Sequence, residues 1–203
     1  MENSSQKLQS MFSAATGDVR RLDDVIRFSS IPVVVHELVS THQYWVGLYA
    51  ALIHSSIRPD DSHLLGRIMV KAATHDLIEG WTGDFVRTFK YSSEKLRSAI
   101  SEAEDDLIAS LPEELRNLYS QGEENDEDQA YVDALVKAAD FMALHQYMTR
   151  EWMRGNRSIQ VFFDRMISDL RKMQQSLDGR IPCMASLAVL YGIMADEARN
   201  VRI

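Results

Sequence analysis

Several polar residues of types that bind metals stand in this sequence where helical packing would place apolar ones. His75-Asp76 follows the run Ile68-Met69-Val70-Lys71-Ala72-Ala73-Thr74, where a desolvated carboxylate is costly unless a cation or hydrogen bonds offset it. Asp140 stands inside Leu135-Val136-Lys137-Ala138-Ala139-Asp140-Phe141-Met142-Ala143-Leu144, and His42 precedes Trp45 and Val46 by one helical turn. Two imidazoles and two carboxylates form a mixed nitrogen and oxygen set that suits a divalent first-row ion such as Mn, Fe, Co, Ni or Zn. Taken singly, each has a structural explanation: a lone His at a helix start caps or packs, and a lone Asp in a helix is solvated. The order His, then His-Asp, then Asp, with gaps of 33, 1 and 64 residues, is far more specific than any member. His36, His54, His63 and His145 fall outside this order and read as packed or surface residues.

The elements that must hold these groups are helical. The 203 residues are 45% hydrophobic and 26% charged, with only 9 Gly and 4 Pro, an ordinary globular balance too poor in turn formers for a loop-rich all-β chain. After an extended stretch from Ile31 to Val35, Ser40-Thr41 offers an N-cap for a helix that stops near Pro59. Asp60, Asp61 and Ser62 start the next, whose i, i+3/i+4 stripe runs until Gly80. Thr82-Gly83-Asp84 reads as a turn, a helix follows from about Ser92 to Ala109, and Leu111-Pro112-Glu113-Glu114 opens another. Three more are expected over Asp128 to about Arg154, Ser158 to about Leu177, and Met184 to Arg199. No internal repeat is present. The expected architecture is all-α: one compact bundle of six to eight helices over residues 1–203.

Charge and cysteine content narrow the setting. The net charge of −8 is concentrated, since eleven acidic residues and one basic residue lie between Glu102 and Gln129. The run Gly122 to Gln129 reads as a solvated loop. Nucleic-acid polymers are not expected partners. The single cysteine, Cys183, forms no internal disulfide, and Met1 to Ser10 lacks the basic and apolar regions of a signal peptide, so a cytoplasmic location is expected. The longest uncharged apolar-rich stretch, Ile181 to Ala195, is shorter than the roughly 20 residues of a spanning helix and reads as a core helix, with no membrane role. It is also more apolar than a small domain readily buries, so a homo-oligomer, dimer or hexamer, is expected.

The His, His-Asp, Asp order resembles the HD-domain metal-dependent phosphohydrolases. His75-Asp76-Leu77-Ile78-Glu79-Gly80-Trp81-Thr82-Gly83-Asp84, followed by Lys90-Tyr91, is similar to the signature of their bacterial 5'-deoxynucleotidase (YfbR-like) branch. Arg27, 15 residues before His42, stands where that branch has its phosphate-binding arginine, and Val136-Lys137-Ala138-Ala139-Asp140 and Arg154-Gly155-Asn156 extend the likeness to about Asn156. The resemblance implies an HD-domain helical bundle in which His42, His75, Asp76 and Asp140 hold one divalent metal (Co, Mn, Zn, Mg or Fe). It further implies Glu79 as proton acceptor or donor, Asp84 as the second essential acid, and Arg27 and Lys90 as cationic donors to phosphate. Phe28 stands where the branch usually has a Trp packed against the deoxyribose. Proline is absent from Phe85-Val86-Arg87-Thr88-Phe89, and Thr41 replaces a usual Glu before the metal histidine.

The implied function is hydrolysis of 2'-deoxyribonucleotides, most simply of 5'-monophosphates to deoxynucleoside and phosphate. The branch is also similar to phage dATP triphosphohydrolases, which share the metal residues, so release of triphosphate from dATP or another dNTP is the alternative. A non-catalytic module that binds nucleotide or metal is a further alternative, opposed by the presence of every expected metal and acid residue.

Overall fold

Helix boundaries follow local chemistry at most positions. The computed structural model describes residues 4–17, 19–85, 87–90, 92–122 and 128–201. Their helices are α1 (Ser4–Gly17), α2 (Val39–Ile57), α3 (Ser62–Thr74), α4 (Glu79–Thr82), α5 (Arg87–Lys90), α6 (Glu94–Ser110), α7 (Glu113–Gly122), α8 (Gln129–Met153), α9 (Gln160–Ser176) and α10 (Pro182–Asn200), with 3-10 turns at Val19–Asp23 and Arg157–Ile159. Eight have ten or more residues and two are single turns, which agrees with the expected all-α bundle. Asp61 caps α3 by accepting from the Leu64 N–H at 3.0 Å, Ser93 caps α6 through Leu96, and Pro182 opens α10. The acidic run lies largely outside the described residues, at 123–127.

Two expectations need correction. Ser40-Thr41 does not cap α2: the helix begins at Val39, whose N–H donates to the Val25 carbonyl at 2.9 Å. The cap is backbone from a preceding loop, so no side chain signals it. The extended stretch from Ile31 to Val35 stays outside any helix, and the pairing nearby is one isolated antiparallel bridge between Ile26 and Leu38. The second predicted helix does not run to Gly80. It stops at Thr74, His75 to Ile78 form a turn, and α4 begins at Glu79. Also unexpected was α1, which packs chiefly on the Val19–Asp23 turn and leaves Leu8, Met11 and Phe12 exposed.

Helix α8 is the axis of the core, packing against α2, α3, α9 and α10. Its Ala134, Ala138, Ala139 and Ala143 are all buried, and such small side chains let neighbouring helices approach while Leu135, Phe141, Phe163, Leu170 and Tyr191 fill the layer between them. A smaller cluster of Leu22, Val39 and Leu77, with Trp81, Leu115 and Tyr119 against it, packs the start of α2 beneath the turn after α3. The apolar stretch expected to drive oligomerisation is mostly used inside the chain: Met184, Leu187, Tyr191, Met194 and Ala195 are buried, while Val189 and Ile193 remain exposed. Among the described residues, no helix is long and apolar enough to cross a membrane.

Candidate metal centre and active site

Three segments meet above this core. Helix α2 brings His42, fully buried; the turn between α3 and α4 brings His75 and Asp76; α8 brings Asp140. His42 Nε2 lies 3.2 Å from Asp140 Oδ1 and 3.6 Å from Asp76 Oδ2, and His75 Nε2 lies 3.1 Å from Asp76 Oδ2. Donor atoms of His42, His75 and Asp76 fall within 4.8 Å of one another. The His75-Asp76 pair is thus outside regular helix, and the expectation that His75, Asp76 and Glu79 share one helical face is replaced by a tight corner. There the Glu79 N–H donates to the Asp76 carbonyl at 3.0 Å.

The unsatisfied groups of this cluster fit a cation. His42 Nδ1 and Nε2, His75 Nε2 and Glu79 Oε2 are buried without a hydrogen-bond partner, a state that native interiors avoid. The close approaches to His42 and His75 lack hydrogen-bond alignment. His75 Nδ1 stands 2.8 Å from the Ala72 carbonyl oxygen, and an N–H donated there leaves the Nε2 lone pair facing Asp76. Burial disfavours charge on Asp76, yet the His75 imidazole and the Arg27 guanidinium hold its carboxyl far below the usual range. Burial likewise opposes charge on Asp140, where Lys137 and His42 prevail. At Glu79 the balance reverses: burial, with Asp76 and Asp84 close by, outweighs Arg27 and pushes its carboxyl up to about 9. This crowding of carboxylates beside two imidazoles matches the donor chemistry of a divalent ion.

Arg27 and Phe28 come from the loop before α2. Arg27 Nη1 donates to Asp76 Oδ2 at 3.3 Å. Phe28 adopts a left-handed backbone, φ 57°, a conformation costly for a residue with a side chain and characteristic of functional sites. Its N–H donates to Asp84 Oδ2 at 2.9 Å, which helps hold that conformation. Its ring stacks on Tyr147, centroids 5.4 Å apart, and meets Phe162 edge-on. A cavity of about 450 Å³ opens here, lined by Arg27, Phe28, Asp84 and Asp140 at the polar cluster and by Phe141, Leu144, Met148 and Phe162 elsewhere. Lys90 is not brought to this cavity. Its ammonium lies 2.6 Å from Glu104 of α6, an ion pair that satisfies it without phosphate.

Two carboxylates escaped the sequence reading. Glu37 Oε2 lies 3.6 Å from Arg27 Nε and 3.9 Å from His42 Nδ1, so it flanks both groups from behind, and burial raises its carboxyl to about 6. Glu151, completely buried, accepts the Val34 N–H at 2.6 Å, the Val35 N–H at 3.0 Å and the Asn156 amide at 2.9 Å. Asn156 also donates to the Pro32 carbonyl, and the Tyr147 hydroxyl to that of Val35. The loop that carries Arg27, Phe28 and Glu37 is thereby fastened to the end of α8. A signal was available: Glu151 lies three and four residues after Met148 and Tyr147, on the face of α8 that faces the core.

Comparison with known proteins supports the chemistry that this cluster suggests. A family model described as 5'-deoxynucleotidase YfbR-like matches residues 16–179. Among solved structures, the chain is similar to the HD phosphohydrolase DatZ of cyanophage S-2L, bound to dA and one catalytic Zn2+, with TM-score 0.61 and 16% identity over 90% of this chain and 96% of that one. It is also similar to an HD-domain phosphohydrolase from Listeria innocua, with TM-score 0.62 and 18% identity over 96% of this chain and 88% of that one. At such identities these likenesses establish the fold alone. No curated protein matches the sequence. Because the family model spans every residue of the buried cluster and of the cavity beside it, the chain belongs to the YfbR-like 5'-deoxynucleotidase family and is an HD-domain phosphohydrolase of deoxynucleotides.

Proposed function

We propose that residues 1–203 act as one domain that hydrolyses the 5'-phosphate ester of 2'-deoxyribonucleoside monophosphates, giving deoxynucleoside and inorganic phosphate. The observation that carries this reading is the junction of two environments: unpartnered buried imidazole nitrogens beside Asp76 and Asp140, opening into an aromatic-walled cavity of nucleoside size. His42, His75, Asp76 and Asp140 would hold a divalent ion, which when bound supplies Lewis acidity and lowers the pKa of a water.

The chain's own groups do the rest. Arg27 donates to a phosphate oxygen from the cavity wall, in the planar geometry that suits phosphate. Glu79, beside Asp76, accepts the proton of the attacking water or returns one to the leaving 5'-oxygen. Asp84 keeps Phe28 in its left-handed conformation and presents its second oxygen to the reacting centre. The Phe28 ring packs on the sugar, where a 2'-hydroxyl would crowd it. Lys90 has no part in this arrangement.

Purified protein, stripped and reloaded with Co, Mn, Zn or Mg, is assayed for products from dAMP, dATP, AMP and ATP. Free phosphate from dAMP is expected. Triphosphate from dATP with dAMP inert would move the activity to nucleotide triphosphate cleavage. We further propose a cytoplasmic homo-oligomer. Its surface is the strip of Tyr44, Leu48 and Leu52, at 65%, 39% and 56% exposure along α2, rather than α10.

A further inference from the structure

We propose that Arg165 reads the base, so that the cavity prefers a purine with two acceptors on one edge, as guanine has, over adenine. This rests on the nucleotide reading above and deepens it. The wall that α9 contributes to the cavity consists of Val161, Phe162, Arg165, Met166 and Asp169. Three of these are apolar and offer a base only a face to stack on, which every base possesses. Selectivity must come from the polar pair. Asp169 lies 3.8 Å from Lys172, whereas Arg165 makes no hydrogen bond or ion pair among the described residues.

Arginine is donor-only, with its N–H groups in a fixed planar fork. Such a fork is complementary to two adjacent acceptors, the O6 and N7 of guanine, and meets a donor in the N6 amino group of adenine. Arg165 lines the same cavity as the aromatic and aliphatic side chains of Phe28, Phe141, Leu144 and Phe162 and as Arg27, Asp84 and Asp140, which form its pole beside the metal-type cluster. A nucleotide with its phosphate at that pole stacks its base along the lining and turns one edge to α9. A triphosphate tail is the competing occupant for a lone cation, and it carries no base preference.

Binding of dGMP, dAMP and dGTP to the wild type and to R165M is measured by titration calorimetry, with phosphate release followed in parallel. R165M keeps the length and helix propensity of the side chain and removes its donors. Arg165 is exposed on α9, so the variant folds, which circular dichroism verifies. The wild type is expected to bind dGMP about tenfold more tightly than dAMP, and R165M to bring the two affinities together. Equal affinities in the wild type, a ratio that survives in R165M, or weakening of dGTP alone would each overturn the assignment. Selective binding without phosphate release would instead defeat the hydrolase reading and leave the base readout standing.

Discussion

Replacing Glu151 by Gln tests whether the loop before α2 is held by a buried charge. The carboxylate accepts from Val34, Val35 and Asn156, with Arg154 at 3.4 Å. Gln keeps the shape but has one acceptor oxygen, and its amide turns N–H groups toward donors. At least one charge-assisted bond is lost and a donor is left unpaired, so the expected cost is about 2 to 4 kcal/mol. With a urea slope of about 2 to 3 kcal/mol per M for a chain of this size, the midpoint falls by about 1 M. The effect depends on pH. Burial opposes ionisation of Glu151, but the hydrogen bonds from Val34, Asn156 and Val35 prevail and hold its pKa below the ordinary 4.5. Its stabilisation is therefore complete above the unfolded value and is lost as pH falls through the lower, folded one. Urea titrations at pH 7 and at about pH 3.5 should show the gap between wild type and variant shrinking at acid pH. A variant within about 0.5 kcal/mol of wild type at pH 7, within the range of ordinary surface substitutions, would refute the reasoning. A gap equally wide at both pH values would do the same.

Four further outcomes follow from the site and the core. Asp76→Asn should lose about a hundredfold or more of metal-dependent phosphate release, and atomic emission should find its bound metal well below that of the wild type after dialysis. Phe28→Ala should lower kcat/KM for dAMP about tenfold and narrow the preference for dAMP over AMP; an unchanged dAMP-to-AMP ratio in steady-state kinetics contradicts the sugar contact. Leu135→Ala, at a fully buried position in α8, should cost about 3 kcal/mol in denaturant unfolding. Leu48→Glu should shift the light-scattering mass toward the monomer, and a wild type that is already monomeric at all concentrations would remove the oligomer.

The metal-type residues were legible because each breaks a periodic apolar pattern, and a carboxylate on a buried helical face announces a compensating group. Asp140 shows this most clearly, between Ala139 and Phe141, both buried. Boundaries fixed by distant backbone were not legible: the start of α2 depends on the Val25 carbonyl, and the break at His75 precedes the Gly80 that looked like the stop. Lys90 illustrates a different limit. A cation in a motif carries no mark of its partner, and Glu104 lies on another helix. Glu37 was hidden because its meaning depends on Arg27 and His42 meeting in space, which spacing along one element does not convey.

The groups assembled at the cavity are drawn from Arg27 through Asp140, on segments that touch only when α2, the α3–α4 corner and α8 have packed. An unfolded chain offers an ion no such set. Metal and nucleotide therefore select the folded molecule over the denatured ensemble, adding RT ln(1 + [L]/Kd), about 2.7 kcal/mol when the free ligand is at a hundred times its dissociation constant. Supply of the ion then governs how much enzyme survives proteolysis as well as how fast it turns over. Depletion of the ion would lower the stability of the fold along with the activity.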